Sequence, residues 1–139
     1  MSFLLDTNLL SELIRPLPNQ GVLQWMQQHP EQSYYISVIT LSELEFGITR
    51  LADGQRKTDM QCWLHTDLRQ RFLGRMLPVS DDVALRCGAF RANRQTLGRP
   101  LALADGLIAA TAAESSLTLV TRNIKDFEAL AISLLNPFD

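Results

Sequence analysis

Short apolar runs alternate along the chain with longer stretches in which apolar residues recur every three or four positions. The short runs predict β-strands, at 2–6 (SFLLD), 34–37 (YYIS), 117–121 (LTLVT) and 131–135 (AISLL). The periodic stretches predict helices, at 7–14, 20–28, 41–54, 56–73, 81–97 and 102–114, with a further short run, RMLPV, between the fourth and the fifth. Strands that alternate with helices are typical of parallel sheets. The pattern therefore predicts an α/β protein with a three-layer α/β/α fold and a small, mostly parallel central sheet.

Length and composition limit the class of protein. The chain has 139 residues, 46% of them hydrophobic and 20% charged, so we expect a single globular domain over 1–139. No apolar run approaches the ~18–20 residues that a membrane span requires, and the first residues lack the pattern of a signal peptide. Cys62 and Cys87 lie far apart without metal-type spacing and are predicted to be reduced core residues. These features predict a cytoplasmic protein without a membrane partner.

The distribution of charge is compatible with a nucleic-acid partner. A net charge of −2 argues against a general nucleic-acid binder. Residues 69–99 nevertheless contain seven of the 13 basic residues, all arginines, opposed only by Asp81 and Asp82. Such a surface can bind phosphate on a slightly acidic chain, although a solvated helix face explains the same arginines equally well.

Two acidic residues lie close to the points where a predicted strand passes into a helix. Asp6 ends the first strand, and the carboxyl ends of parallel strands are where functional groups gather. Asp6 could equally cap the helix that follows. Glu43 lies near the start of the next helix, where Thr40 and Glu43 match the capping-box pattern. Each of these acids therefore has a structural interpretation beside a catalytic one.

Asp105 is harder to explain structurally, because it lies in the apolar stretch LALADGLIAATAA with no other charge between Arg99 and Glu114. An ionised carboxylate there costs on the order of several kcal/mol unless it is paired, hydrogen-bonded or bound to a metal ion. Asp105 could also be the N-cap of a helix that begins late, just before Gly106. A functional carboxylate is the preferred interpretation.

A polar cluster follows the strand LTLVT, in the segment TRNIKDF, with Asn123 and Asp126. Asp126 could instead be an ordinary acid in the first turn of a helix. Carboxylates that meet at one edge of the sheet repel one another without a cation, and oxygen ligands suit Mg²⁺ or Mn²⁺. Such an ion can activate water and neutralise charge on a phosphodiester. His29 and His65 have no partner at the spacing of a zinc site or a catalytic triad, so chemistry of those kinds is not expected.

Four blocks of this sequence, in order and at these spacings, resemble a known family. They are LLDTNLLSELIRP, ISVITLSELEFGI, LALADGLIAATA and LTLVTRNIKDF, the last followed by NPF. The chain looks like a PIN domain, specifically a VapC-type (FitB-like) ribonuclease toxin of a type II toxin–antitoxin pair. The resemblance covers almost the full length and implies a single PIN domain.

The resemblance also implies roles for individual residues. The metal ligands would be Asp6, Glu43 and Asp105. Asn123 takes the fourth position, where many PIN domains have an acid. These four would be the catalytic residues. The residues that would support the site are Asn8, Thr121 and Asp126. Asp126 could instead supply the missing fourth acid. Thr7 is then the expected helix cap.

The implied activity is Mg²⁺- or Mn²⁺-dependent cleavage of RNA phosphodiester bonds, with metal-activated water as the nucleophile. Four arginines are the candidate contacts to the RNA backbone: Arg86, Arg91, Arg94 and Arg99. Because Arg94 falls close to the buried stripe of its helix, it is expected to reach toward the site or to lie past the end of the helix. The implied partners are a second copy of the chain, in a homodimer, and a cognate VapB/FitA-like antitoxin in a higher-order complex.

Two alternatives remain open from the sequence. One is a PIN-type nuclease that acts on DNA or on a nucleic-acid structure. The other is a non-catalytic α/β binding module in which the acids serve only as helix caps.

Overall fold

A five-stranded sheet forms the centre of the computed structural model, which describes all 139 residues. Its strands are β1 (Phe3–Leu5), β2 (Tyr34–Ser37), β3 (Met76–Leu77), β4 (Thr118–Val120) and β5 (Leu134–Leu135). Their order across the sheet is β3-β2-β1-β4-β5, and every neighbouring pair is parallel. Phe3 lies opposite Tyr34 on one side and Thr118 on the other, so β1 is the central strand. The prediction of a mostly parallel sheet is confirmed, and β1 lies at the switch point where functional groups are expected.

The helices cover both faces of this sheet. They are α1 (Thr7–Leu13), α2 (Gln20–Gln27), α3 (Val38–Thr49), α4 (Gln55–Cys62), α5 (Arg69–Arg71), α6 (Asp81–Thr96) and α7 (Leu103–Glu114). A π-helical segment, Trp63–Leu68, joins α4 to α5 without a break. The helix predicted at 56–73 is therefore continuous, with π-helical geometry in its middle. Two 3₁₀ turns lie at Glu31–Ser33 and Ile124–Phe127. None of the helices has the length and apolar character to span a membrane.

Alternate residues of the strands pack into two separate hydrophobic cores. Phe3 and Leu5 belong to the core beneath α1–α4, whereas Leu4 belongs to the core beneath α6 and α7. The same alternation separates Val120 from Leu119 in β4. Side chains that follow one another in a strand point to opposite faces, so both faces of the sheet are buried. The predicted three-layer α/β/α architecture is confirmed.

Helix α3 begins three residues earlier than predicted. Ser37, the last residue of β2, is its N-cap, and the Ser37 hydroxyl accepts a hydrogen bond from the Ile39 N–H at 3.0 Å. Thr40 therefore lies inside the helix, and the alternative interpretation of Thr40 and Glu43 as a capping box is wrong. Ser37 and Thr40 both have the hydroxyl side chain that favours an N-cap. Because β2 passes into α3 without a loop, Ser37, the earlier of the two, is the cap. Glu43 is consequently free for another role.

Helices α6 and α7 pack closely because Gly106 of α7, at the contact with α6, has no side chain. A Cβ atom at Gly106 would lie 2.8 Å from the Cys87 sulfur, so glycine is required at this contact. Cys87 is buried there as predicted, but Cys62 is exposed on α4, and its prediction as a core residue is wrong. The close packing fixes the first turn of α7, which carries Asp105.

Candidate functional site

A pocket of about 430 Å³ opens at the carboxyl edge of the sheet. None of its ten lining residues is hydrophobic, and they come from the ends of β1 and β4 and from helices α1, α3 and α7: Asp6, Thr7, Asn8, Ser11, Glu12, Arg15, Glu43, Asp105, Arg122 and Asn123. All four predicted catalytic residues line this one pocket. Residues up to 117 positions apart in the sequence therefore meet where the parallel strands end.

Asp6 is buried at the end of β1, with its two oxygens bound on different sides. Its Oδ1 accepts a hydrogen bond from the Thr7 N–H at 2.8 Å, and its Oδ2 accepts one from the Thr121 hydroxyl at 2.7 Å. Asp6 is thus the N-cap of α1, and the prediction that Thr7 is the cap is wrong. Burial raises the pKa of Asp6 above its ordinary value of 3.8, and the charges of Glu43 and Asp126 add to this effect, whereas the two hydrogen bonds lower the pKa.

Glu43 projects into the pocket from the second turn of α3. Its Oε1 accepts a hydrogen bond of 2.6 Å from the Thr7 hydroxyl. The Thr7 side chain therefore orients Glu43, and its backbone N–H orients Asp6. One residue of the DTN segment aligns two carboxylates that lie on different elements.

Asp105 lies in the first turn of α7, half-buried, and its carboxylate accepts no hydrogen bond within the protein. The N-cap of α7 is Ala102, so the interpretation of Asp105 as a cap is wrong. Burial raises the pKa of Asp105 to about 6, with further contributions from the charges of Asp6, Asp126 and Glu43, opposed only by Arg94. A carboxylate placed at a cost and left without a donor is suited to bind a cation.

Thr121 connects the residues predicted to support the site. It is fully buried, donates its hydroxyl proton to Asp6, and accepts from the Asn8 side chain at 3.3 Å and from the Asn123 N–H at 3.0 Å. Asn123 lines the pocket, whereas Asp126 does not, although its charge raises the pKa of Asp6 and of Asp105. The geometry thus favours Asn123 over Asp126 as the residue that faces a bound ion.

The pocket offers oxygen donors of the kind that Mg²⁺ or Mn²⁺ prefers. The charge of Glu43 raises the pKa of Asp6, and the charges of Asp6 and Glu43 raise the pKa of Asp105, so a divalent cation among these carboxylates would relieve both repulsion and desolvation. No three acidic, histidine or cysteine side chains lie close enough together to hold a metal ion between them. An open arrangement is compatible with Mg²⁺ because this ion retains several waters and takes one or two carboxylates directly. The donor set fits such an ion.

The arginines predicted to contact RNA do not line this pocket. Arg94 is buried, and its guanidinium donates to the carbonyls of Arg99, Asp126 and Glu128 at 2.8, 2.9 and 3.0 Å. Arg94 therefore anchors the turn after β4 and lies outside the pocket, and its role as an RNA contact stays a prediction.

The other three predicted arginines lie on the surface outside the pocket, each engaged with a neighbour. Arg86 pairs with Glu114 at 2.6 Å, Arg99 pairs with Glu128 at 2.9 Å, and Arg91 donates to the Leu101 carbonyl at 3.1 Å. Two other arginines do line the pocket, Arg15 and Arg122: Arg122 is expected at this edge because it follows the strand LTLVT, but neither is among the four predicted RNA contacts. Both arginines lie inside sequence blocks that carry the family resemblance, Arg15 in LLSELIRP and Arg122 in TRN.

Comparisons with known proteins agree with this architecture. The PIN domain family matches residues 3–132. Toxin FitB of Neisseria gonorrhoeae is 38% identical over 135 residues, 97% of each chain, and a VapC ribonuclease of Sinorhizobium fredii is 35% identical over 97% of this chain and 96% of its own. A crystal structure of FitAcB from Neisseria gonorrhoeae superimposes with a TM-score of 0.90 at 38% identity, covering 97% of both chains. Since the family match spans nearly the whole chain and both relatives exceed 30% identity, this protein belongs to the PIN-domain family.

Proposed function

We propose that this protein is the toxin of a type II toxin–antitoxin pair and that it cleaves RNA as a metal-dependent endoribonuclease. The observation that carries the proposal is the polar pocket that Asp6, Glu43 and Asp105 line together, in which Asp105 has no hydrogen-bond donor of its own. Similarity to a VapC ribonuclease and to toxin FitB supports RNA as the substrate and toxin as the role.

The proposed metal ligands are Asp6, Glu43 and Asp105, with Asn123 as the fourth residue facing the ion, and Mg²⁺ is the proposed metal, with Mn²⁺ as a substitute. When bound, such an ion supplies an activated water as nucleophile and neutralises charge on the scissile phosphodiester. The chain's own contribution is orientation. Thr121 and the Thr7 N–H fix Asp6, and the Thr7 hydroxyl fixes Glu43.

A non-catalytic module with the acids as caps accounts for only part of this geometry. Asp6 does cap α1, but Glu43 is bound by Thr7 instead of by its own helix terminus, and Asp105 caps nothing. A PIN-type nuclease acting on DNA would use the same carboxylates, so the substrate has to be decided by assay.

The proposed partners follow from the assemblies that the relatives form. Solved neighbours include FitAB bound to a DNA fragment, which matches 99% of this chain with a TM-score of 0.91 at 36% identity. We infer a homodimer in the cytoplasm that binds a VapB/FitA-like antitoxin and forms a higher-order complex with it. The exposed apolar side chains of Phe46, Leu85 and Leu103 are compatible with contacts to other chains.

The decisive experiment compares cleavage of a single-stranded RNA and of DNA of the same sequence by wild type, Asp105→Asn and Glu45→Gln. Glu45 is the matched control because it is an acid on α3 that pairs with His65 at 3.2 Å and lies outside the pocket. We expect RNA cleavage with Mg²⁺ or Mn²⁺, none with EDTA, and loss in Asp105→Asn alone. Equal cleavage by Asp105→Asn and wild type would refute the site, and a preference for DNA would refute the substrate.

A further inference from the structure

Arg122 is a cation at the acidic pocket whose charge is not neutralised by the protein. It is exposed, lines the pocket and directly follows Thr121, which binds Asp6. No carboxylate lies within ion-pair distance of its guanidinium. Arg15, the other arginine of the pocket, is instead paired with the buried Glu12 at 3.3 Å. Arg122 therefore carries the unpaired positive charge of the site.

An aromatic ring holds the Arg122 side chain. Its guanidinium carbon lies 5.0 Å from the centroid of the Phe138 ring, within the range of a cation–π contact. The backbone on either side of this contact is also fixed. The Arg122 N–H donates to the Asn8 side chain at 3.2 Å, and the Phe138 N–H donates to the Asn136 side chain at 2.9 Å. Stacking on a ring leaves the edge of a guanidinium free to donate hydrogen bonds.

The segment that carries Phe138 has a dedicated place on α2. A Cβ atom at Gly21 would lie 2.5 Å from the Pro137 carbonyl oxygen, so the segment fits there only because residue 21 is glycine. Phe138 also packs, partly buried, against the core on that face of the sheet. The ring is thus a fixed platform, and it sets the position of Arg122.

We propose that Arg122 binds a phosphate group of the RNA backbone beside the one that is cleaved, and that Phe138 is its positioning residue. This inference rests on the proposed ribonuclease function. The pocket has four carboxylates, of which only Glu12 is paired with a cation, and the other three repel a polyanion. A substrate phosphate therefore needs a nearby cation that the carboxylates do not neutralise. A guanidinium that stacks on a ring and presents its free edge can donate two parallel hydrogen bonds to a phosphate, which also fixes the register of the RNA strand.

The test uses variants that change the contact and keep the packing. Arg122→Gln removes the charge, Phe138→Leu keeps an apolar side chain without the ring face, and Phe138→Trp restores the ring face. Arg50→Gln is the matched control, because Arg50 lies 5.2 Å over the Phe46 ring outside the pocket. Cleavage of a labelled single-stranded RNA is followed at several salt concentrations, and binding of the same RNA is measured by anisotropy with Ca²⁺ in place of Mg²⁺.

We expect Arg122→Gln to raise KM and Kd by about tenfold with kcat within about twofold, as for loss of one charge-assisted contact. The slope of log affinity against log salt should fall by about 0.7, the value for one phosphate contact on a single strand. Phe138→Leu should raise KM by about threefold, and Phe138→Trp should restore it.

The proposal is overturned if Arg122→Gln keeps the KM, Kd and salt slope of Arg50→Gln, or if Phe138→Leu equals wild type. A folded wild type that binds RNA in Ca²⁺ without ever cleaving it would instead refute the proposed function. The binding assay would then still decide the role of Arg122.

Discussion

Replacing Asp105 by asparagine should stabilise the metal-free protein while abolishing its function. At neutral pH the ionised carboxylate is desolvated, faces Asp6 and Glu43, and accepts no hydrogen bond. Asparagine has nearly the same shape and carries no charge, so it avoids both the desolvation of a charge and the repulsion by the neighbouring carboxylates. A residue retained at a cost to stability is typical of a functional site.

The magnitude follows from the pKa of Asp105, which rises from 3.8 to about 6. If the elevation acted in full, it would cost about 3 kcal/mol of folding free energy at pH 7. Because Asp105 is only half-buried, solvent screens part of the effect, and we expect about 1–2 kcal/mol. The folded state binds more protons than the unfolded state between pH 3.8 and about 6. Wild-type stability therefore decreases as the pH rises through this window, and the advantage of Asp105→Asn appears over the same range.

The assay is urea unfolding in EDTA at pH 4 and pH 7.5, with thermal melts in parallel. Asp105→Asn should exceed wild type by about 1–2 kcal/mol at pH 7.5, or roughly 3–6 °C in Tm, and by much less at pH 4. Addition of Mn²⁺ should raise the Tm of wild type and leave that of the variant unchanged. Asp67→Asn serves as the control, because it changes the net charge equally at an exposed position outside the pocket.

The assignment of this cost to the charge of Asp105 is refuted if Asp105→Asn is less stable than wild type in EDTA at pH 7.5. It is also refuted if the gain is the same at both pH values, or if Asp67→Asn reproduces it. A gain without pH dependence would mean that the substitution improves packing and that the charge of Asp105 is not the cause.

Three further predictions concern the same site and its support. Because protonated Asp105 cannot bind a cation, the affinity for Mn²⁺ measured calorimetrically should fall about tenfold between pH 7 and pH 5, and a pH-independent affinity would exclude Asp105 as a ligand. Thr121→Val should lower activity by about 10–100-fold, as for loss of a residue that orients a metal ligand, and Thr121→Ser should restore it; equal rates for the two variants would contradict the hydrogen bond to Asp6. Arg94→Met leaves three carbonyls without their donor and should destabilise the protein by about 3 kcal/mol in urea unfolding, whereas an RNA-binding role alone would leave stability unchanged.

The order of elements and the principal carboxylates could be predicted from the sequence because their signals are local. Strand β1 is apolar and stops at Asp6, and strands buried on both faces have that appearance. Asp105 could be identified because an isolated charge in an apolar helix is costly wherever the helix lies. Both inferences need only neighbours in the sequence and the solvation of a charge.

The features that could not be predicted from the sequence are contacts between distant residues and choices between similar neighbours. Ser37 and Thr40 are both suitable caps, and only the direct passage from β2 into α3 decides between them. Arg94 donates to carbonyls more than 30 residues away, and no local pattern announces that contact. The bond from Thr7 to Glu43 likewise spans 36 residues, so Thr7 could not be recognised as the residue that orients Glu43.

Asp6 shows why capping and metal binding are compatible in one carboxylate. A carboxylate has about four acceptor positions. The Thr7 N–H uses one on Oδ1, and the Thr121 hydroxyl and, at 3.4 Å, the Asn8 amide use those on Oδ2, which leaves one acceptor position on Oδ1. These hydrogen bonds hold the group in place, but they do not offset its burial, since its pKa is still raised. The same donors that make Asp6 a cap therefore orient it as a ligand, and a cation is the partner that would complete its stabilisation.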